Sequence, residues 1–339
     1  MEDKPTTRKA MREAIALHPV KRSEIRYFVD LYYQLQEYRK AGGNQERAAI
    51  ASDEPPGEFS RSVQAGFAKT ETGIERYLDE LTSQTTVGRW AKSVVGIGPV
   101  ISAGLLAHID IRQAPTAGRI WRFAGLDPTQ HWIGAAKAKA RVDELLSGGA
   151  PLETAIPPMA VEIGCRPETI LRLATSNREG QPIEPTRATL AKACAKRPWN
   201  AALKVLCWKI GEAFVKTCNN EGGFYGQIYK ARKLIEEAKN GRGDFAPQAA
   251  AALEAKRFGK TTEAYKAYSA GKLPPAHIHA RAKRVAVKLF LAHWQEVAWF
   301  AEFGELPPKP YAIDRLGHSD LLIPPNSETV PGLAEAHGR

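Results

Sequence analysis

Residues 94–110, VVGIGPVISAGLLAHID, constrain the fold of this chain more than any other stretch. Gly96 and Gly98 flank Ile97, and Pro99 follows directly. Two glycines at that spacing permit backbone angles that other residues avoid, so the chain can reverse between two helices. Proline suits the first position of the second helix, where its missing N–H costs nothing. The pattern predicts a helix-hairpin-helix, with residues 85–94, TTVGRWAKSV, as its first helix. Backbone N–H groups at Gly96, Gly98 and Val100 would then stand at a helix N-terminus, where the dipole favours an anion such as a nucleic-acid phosphate. The alternative is an ordinary tight turn between two core helices.

Helical periodicity continues almost throughout, and the predicted class is all-α. Residues 1–20 read as a basic arm or frayed first helix. A helix is predicted from an N-cap at Ser23 to Gly42-Gly43, with Phe28, Leu31, Leu35 and Tyr38 on one face. After Pro55-Pro56-Gly57, a second helix carries Phe59, Val63, Phe67, Ile74, Leu78 and Leu81 on its stripe. Together they predict a helical hairpin that packs or dimerises. Five regions follow from these breaks: a helical hairpin (1–83), the helix-hairpin-helix (84–134), an insertion (135–196), long C-terminal helices (197–305) and a Pro-rich tail (306–339), expected to be extended and peripheral.

Within the insertion, Ala160, Gly164 and Ile170 stand at the spacing of a helix-turn-helix. There a small residue lets two helices cross, glycine makes the turn, and an apolar residue seats the second helix. Arg166, Glu168, Thr169, Arg172 and Thr175 would lie on a recognition helix, with Arg166 or Arg172 able to grip guanine. An ordinary helical corner is the other reading. The last long helix begins with His277, His279, Arg281, Lys283 and Arg284 and ends with Trp294, Trp299 and Phe300. Its basic start can track a phosphate backbone or be a solvated charge run.

Charge bears on the choice of partner. Among 339 residues, 48 Lys and Arg oppose 37 Asp and Glu, a formal net charge of +11 that suits nucleic acid or an anionic membrane surface. No apolar run reaches the roughly 18–20 residues of a membrane span, and the N-terminus lacks an apolar signal core. A cytoplasmic protein is expected. Cys165, Cys194, Cys207 and Cys218 are scattered without a CxxC pair, so reduced thiols are expected and a zinc site is not. No cofactor is implied.

The order of blocks resembles the C-terminal domain of the DEDD-type insertion-sequence transposases, the bridge-RNA-guided recombinases, and phage-borne proteins like them. Gly96-Ile97-Gly98-Pro99-Val100 matches that family's hairpin, Leu105-Leu106-Ala107 and Ile109 its next helix, and Phe123-Ala124-Gly125-Leu126-Asp127-Pro128 the block after it. Asn200, Leu203, Leu206, Phe224-Tyr225, Arg232-Lys233 and Ala280-Arg281-Ala282-Lys283 look like its later helices. The resemblance covers residues 90–134 and, more loosely, 197–295.

That resemblance implies a ribonuclease-H-like domain with four acidic metal ligands and a nucleophilic serine just after the AGL-x-P block. The first 90 residues read as helical instead, so that domain is expected to be absent. Ile133 stands at the serine position, and isoleucine has no nucleophile, so the family's strand transfer would need Thr129 or Ser102 as a substitute. The expectation is a transposase-like DNA-binding protein without strand-transfer catalysis, taking double-stranded or branched DNA at Gly96, Gly98, Val100, Arg166, Thr169, Arg172, Arg281, Lys283 and Arg284. A homodimer is compatible with a helix-turn-helix reader. An active recombinase or nuclease, with Mg²⁺ and acids such as Asp110, Asp127 and Asp143, is one alternative. A structural or structured-RNA-binding protein, with Trp90, Trp121, Trp132 or Trp199 stacking on bases, is another.

Overall fold

Periodicity sets the local structure. The computed structural model describes residues 21–177, 179–308 and 322–338, with Arg12 and Ile15, so most of the basic arm expected at residues 1–20 lies outside the described residues. Among the described residues every regular element is helical, as expected. The isolated bridge between Ser176 and Pro182 belongs to no strand. The chain divides into two compact units, one of Met1–Ala117 with Leu206–Arg339 and one of Gly118–Val205.

The first unit opens with two long helices, α1 (Arg22–Ala51) and α2 (Glu58–Ser83), which pair as the expected hairpin. The start and end of α1 differ from expectation. Lys21, not Ser23, precedes its first turn, and the helix runs through Gly42-Gly43 to Ala51. A Cβ on Gly42 would stand 1.9 Å from Gln64 Nε2, so packing against α2 occupies the space that glycine leaves. An interior glycine costs a helix roughly 1 kcal/mol, and close packing accounts for Gly42 alone, since nothing lies within 4 Å of a Cβ on Gly43. Two short helices follow, α3 (Thr86–Ser93) and α4 (Pro99–His108). Ile25, Val29, Ile74, Leu78 and Leu81 pack with Val100, Ala103 and Ala107 of α4 into one core. Towards the other end of the α2 stripe the apolar residues are not covered, and Phe59 is 83% exposed.

The second unit is a cluster of short helices: α5 (Ala117–Phe123, whose first residue belongs to the first unit), α6 (Ala135–Leu145), α7 (Ile156–Ile163), α8 (Pro167–Ala174) and α9 (Arg187–Ala195). Its core joins Val142 of α6, Met159 and Ile163 of α7, Ile170 and Ala174 of α8, and Leu190 and Cys194 of α9. Thr186 and Thr189 cap α9 reciprocally. The boundary between the units falls inside α10 (Ala201–Lys216).

The rest of the first unit holds α11 (Phe224–Gly241), the small pair α12 (Ala246–Ala255) and α13 (Glu263–Ser269), and the 29-residue α14 (Pro275–Phe303). Phe290 of α14 stacks on Trp90 at 6.0 Å between ring centroids and meets Phe214 and Tyr225 edge-on. The described part of the Pro-rich tail is not peripheral. Val330 and Leu333 are buried, the latter in a short helix, α15 (Leu333–Ala336). The tail also satisfies polar groups of α3. Trp90 Nε1 donates to the Pro325 carbonyl at 2.8 Å, and Asn326 Nδ2 donates to the Ser93 carbonyl at 3.0 Å. Burial of these apolar residues and of the indole N–H draws the tail onto the helices.

Candidate nucleic-acid interface

The turn between α3 and α4 is built from local bonds. Thr85 caps α3 by accepting from the Gly88 N–H at 2.9 Å. The chain leaves α3 at Val94, whose carbonyl accepts from the Ile97 N–H at 3.0 Å. Gly96 has φ +94°, a left-handed conformation that favours glycine. Buried Ile97 pins the turn to the unit's interior. Pro99 then opens α4, and the Ser102 N–H closes its first turn on the Gly98 carbonyl at 3.0 Å.

Gly98 departs from the expectation that both glycines serve unusual angles. Its φ of −92° and ψ of 178° are extended backbone that any residue adopts. A Cβ placed on it would meet nothing within 4 Å. Neither the turn nor the packing requires a glycine there. The first-turn N–H groups of Val100 and Ile101 have no intrahelical acceptor, and the positive end of the α4 dipole lies beside them. Val100 contributes backbone alone, because its side chain is buried in the core.

In the second unit, Gly164 ends α7 with φ +73°, and Arg166 precedes the first residue of α8. A Cβ on Gly164 would lie 1.7 Å from the Thr129 carbonyl oxygen. This glycine is required twice, for its angle and for that close approach. Ala160 and Ile170 are buried, as the A-x3-G-x5-I spacing predicts. Arg166 and Arg172 are exposed, Thr169 is half-buried, and neither arginine forms an ion pair with a described residue.

The basic start of α14 is spent differently. Arg281 Nε pairs with Glu236 Oε2 at 2.7 Å, its guanidinium lies 4.6 Å from the Phe245 ring centroid, and Arg232 closes on the same carboxylate. Burial works against the charge on Glu236, but the bonds from Arg281 and Arg232 outweigh it and hold the carboxyl below its ordinary pKa. Lys283 pairs with Glu212 and leans towards the Trp208 ring. Arg284 is exposed. Two of the three cations expected to meet a backbone therefore bind carboxylates of their own chain.

The nucleophile and acid candidates read from the sequence are engaged within the fold. Ile133 packs against the core of the second unit. Ser102 is fully buried, with Oγ 3.4 Å from the Gly88 carbonyl. Thr129 Oγ1 donates to Asp127 Oδ1 at 2.8 Å. Asp110 pairs with Arg22, Asp127 with Arg122, and Asp143 with Lys139. Burial pushes the Cys194 thiol up to about 11 and Cys207 to about 12, far from a thiolate. Among the described residues no cluster of His, Cys, Asp or Glu could hold a metal ion, and no helix is long and apolar enough to cross a membrane.

The first turn lies inside a segment that is similar to a family of known proteins. Residues 89–144 match a transposase family. The matching family model is the Transposase IS116/IS110/IS902 family. No curated protein and no solved structure matches the chain significantly. The transposase-like segment runs from within α3, through the turn and α4, to within α6, and so draws on both compact units.

Sequence reasoning missed two features here. One is the contact of Gly164 with Thr129, 35 residues earlier in the chain. The other is Gly88, where a Cβ would stand 2.2 Å from the Thr82 carbonyl oxygen and which lets α3 start tightly after α2. A glycine inside a helical pattern was the available signal for the second.

Proposed function

We propose that this chain is a transposase-like DNA-binding protein that holds a backbone phosphate at the α3–α4 turn and does not itself join or cut strands. The phosphate sits against the amides that open α4, and Arg166 just before α8, Thr169 in its first turn and Arg172 in its last turn face a groove as a helix-turn-helix reader. The observation that carries the reading is Gly98. It has an ordinary backbone angle and open space above it, at the positive end of a helix, inside the transposase-like segment. A residue that folding does not require, and whose missing side chain leaves the amides bare, suits close approach of a phosphate. The net charge of +11 supports the same partner. The absence of catalysis rests on Ile133 at the serine position of the resembled family.

Binding of labelled duplex DNA across a salt series, with Mg²⁺ present and the strands run on a denaturing gel, tests this. Wild-type protein is expected to bind with steep salt dependence and to leave strands intact. G98A, which crowds one charge-assisted contact of about 1.5 kcal/mol, is expected to weaken binding about tenfold. R172A is expected to weaken it further. Unchanged affinity in the G98A/R172A double variant defeats the assignment, and cut or covalently captured strands defeat the non-catalytic part.

A further inference from the structure

The loop between α5 and α6 has no helix of its own, yet it is tied down along its length. Asp127 Oδ1 accepts from the Thr129 N–H at 3.0 Å and from its hydroxyl at 2.8 Å. The Thr129 carbonyl sits against Gly164. The His131 N–H donates to the Ile163 carbonyl at 2.8 Å, and half-buried Ile133 packs against the core of the second unit. Between these two anchors Trp132 points outward and is 48% exposed.

The ring is not loose. Its Nε1–H donates to the Ala195 carbonyl at 2.9 Å, so its only polar atom is satisfied and the surface left in water is apolar ring. The Arg197 guanidinium lies 4.3 Å from the ring centroid, and Arg197 itself is exposed, as is Lys196 beside it. Arg197 forms no ion pair with a described residue, and stacking on an indole leaves its N–H edge able to meet an anion.

We infer that Trp132 and Arg197 form a stacking seat for one unpaired base of a bound nucleic-acid strand. The base takes the ring face that the Arg197 guanidinium does not cover, and the N–H edge of that guanidinium reaches the adjoining phosphate. The inference rests on the nucleic-acid-binding reading and deepens it. Three features select this occupant. A cationic guest, the other common ligand of a displayed tryptophan, would meet the Arg197 charge at the same ring. A planar base carrying a phosphate complements both the ring and the cations around it. A paired base inside a duplex has both faces covered by its neighbours, so the seat takes a bulged, flipped or single-stranded one. Because the indole is already held by its hydrogen bond, binding costs little reordering.

The test compares the full-length protein on a plain duplex and on the same duplex carrying one unpaired nucleotide, in DNA and RNA versions. Base stacking on an aromatic side chain contributes roughly 1–3 kcal/mol, so wild type is expected to prefer the bulged form by about 5-fold or more. W132A is expected to abolish that preference while leaving plain-duplex affinity unchanged. W132F, which keeps an aromatic face, is expected to retain most of it. Tryptophan emission of wild type is expected to be quenched by the bulged form more than that of W132F, which checks the seat without relying on W132A folding. A bulge preference in either DNA or RNA upholds the inference and names the strand. Equal affinity of wild type for bulged and plain duplex overturns it alone. Equal loss by W132A on both forms, with W132F no better, also overturns it. Wild type binding none of the four probes overturns the nucleic-acid reading itself.

Discussion

The turns at Gly96–Gly98 and at Gly164 look alike in sequence and differ in what glycine does. At Gly164 a Cβ would collide with the Thr129 carbonyl at 1.7 Å, and φ is +73°. At Gly96 φ is +94°, but the nearest atom to a Cβ is Thr217 Oγ1 at 3.3 Å. At Gly98 the angle is ordinary and the space is open. The three glycines thus grade from close packing with a strained angle, to angle mainly, to neither. A glycine that folding does not need is the better pointer to a ligand than one that folding does.

Substitution by alanine should reproduce that grading. G164A is expected to destabilise the second unit by about 3 kcal/mol or more, since strain in φ and displacement of the Thr129 loop add. Hydrogen exchange should localise the loss to α7, α8 and the 127–134 loop. A loss below about 1 kcal/mol would mean that the loop yields easily, and the contrast between the turns would shrink.

Acid should separate the turns next. His293 is buried, with Nδ1 facing the Tyr225 hydroxyl at 2.7 Å and Nε2 facing the Leu322 carbonyl at 2.8 Å. The neutral ring, with Nε2–H donating to the carbonyl and Nδ1 accepting from the tyrosine, satisfies both contacts. Burial above all holds its pKa at about 4, against the ordinary 6.5. The unfolded chain therefore binds the proton first. The stability that neutral His293 supports is complete above pH 6.5 and is lost as pH falls towards 4, by up to ~3 kcal/mol at about 1.4 kcal/mol per unit. Leu322 precedes the segment that holds Trp90 and Ser93, so exchange protection around the first turn should fall over that range while the Gly164 turn keeps its own. Half-buried Glu296 has a raised pKa, with desolvation the main cause, and opposes this trend, so E296Q should steepen it. A flat profile in both proteins would contradict the role given to His293.

G96A is expected to cost about 1–2 kcal/mol, from the left-handed angle, in a urea titration of the first unit. G98A should change stability by less than about 0.5 kcal/mol, because alanine fits the angle yet is a poorer residue than glycine before a first helical turn. If G98A alone destabilised the protein as much as G96A, the distinction on which the phosphate site rests would collapse.

Much of this architecture was legible in the residues. The all-α class, the paired helices before residue 84, the reversal at Gly96 and the A-x3-G-x5-I corner all came from spacing, and each is a short-range property. Legibility failed where contacts are long-range. Gly42-Gly43 reads as a helix end until Gln64 is beside it. Arg281 and Lys283 read as cations offered to a phosphate until Glu236 and Glu212 meet them. The candidate site divides in the same way, with the turn predicted and the displayed Trp132 not singled out from the other tryptophans.

The sequence by itself determined which stretches are helical and where the chain must turn, because glycine, proline and apolar spacing act within a few residues. Only the tertiary structure decided which glycine is spare, which cations stay uncommitted and which tryptophan faces water. Those outcomes depend on partners far along the chain, as with Trp90 and Pro325, 235 residues apart. No local pattern encodes which distant group will arrive to fill a space or neutralise a charge.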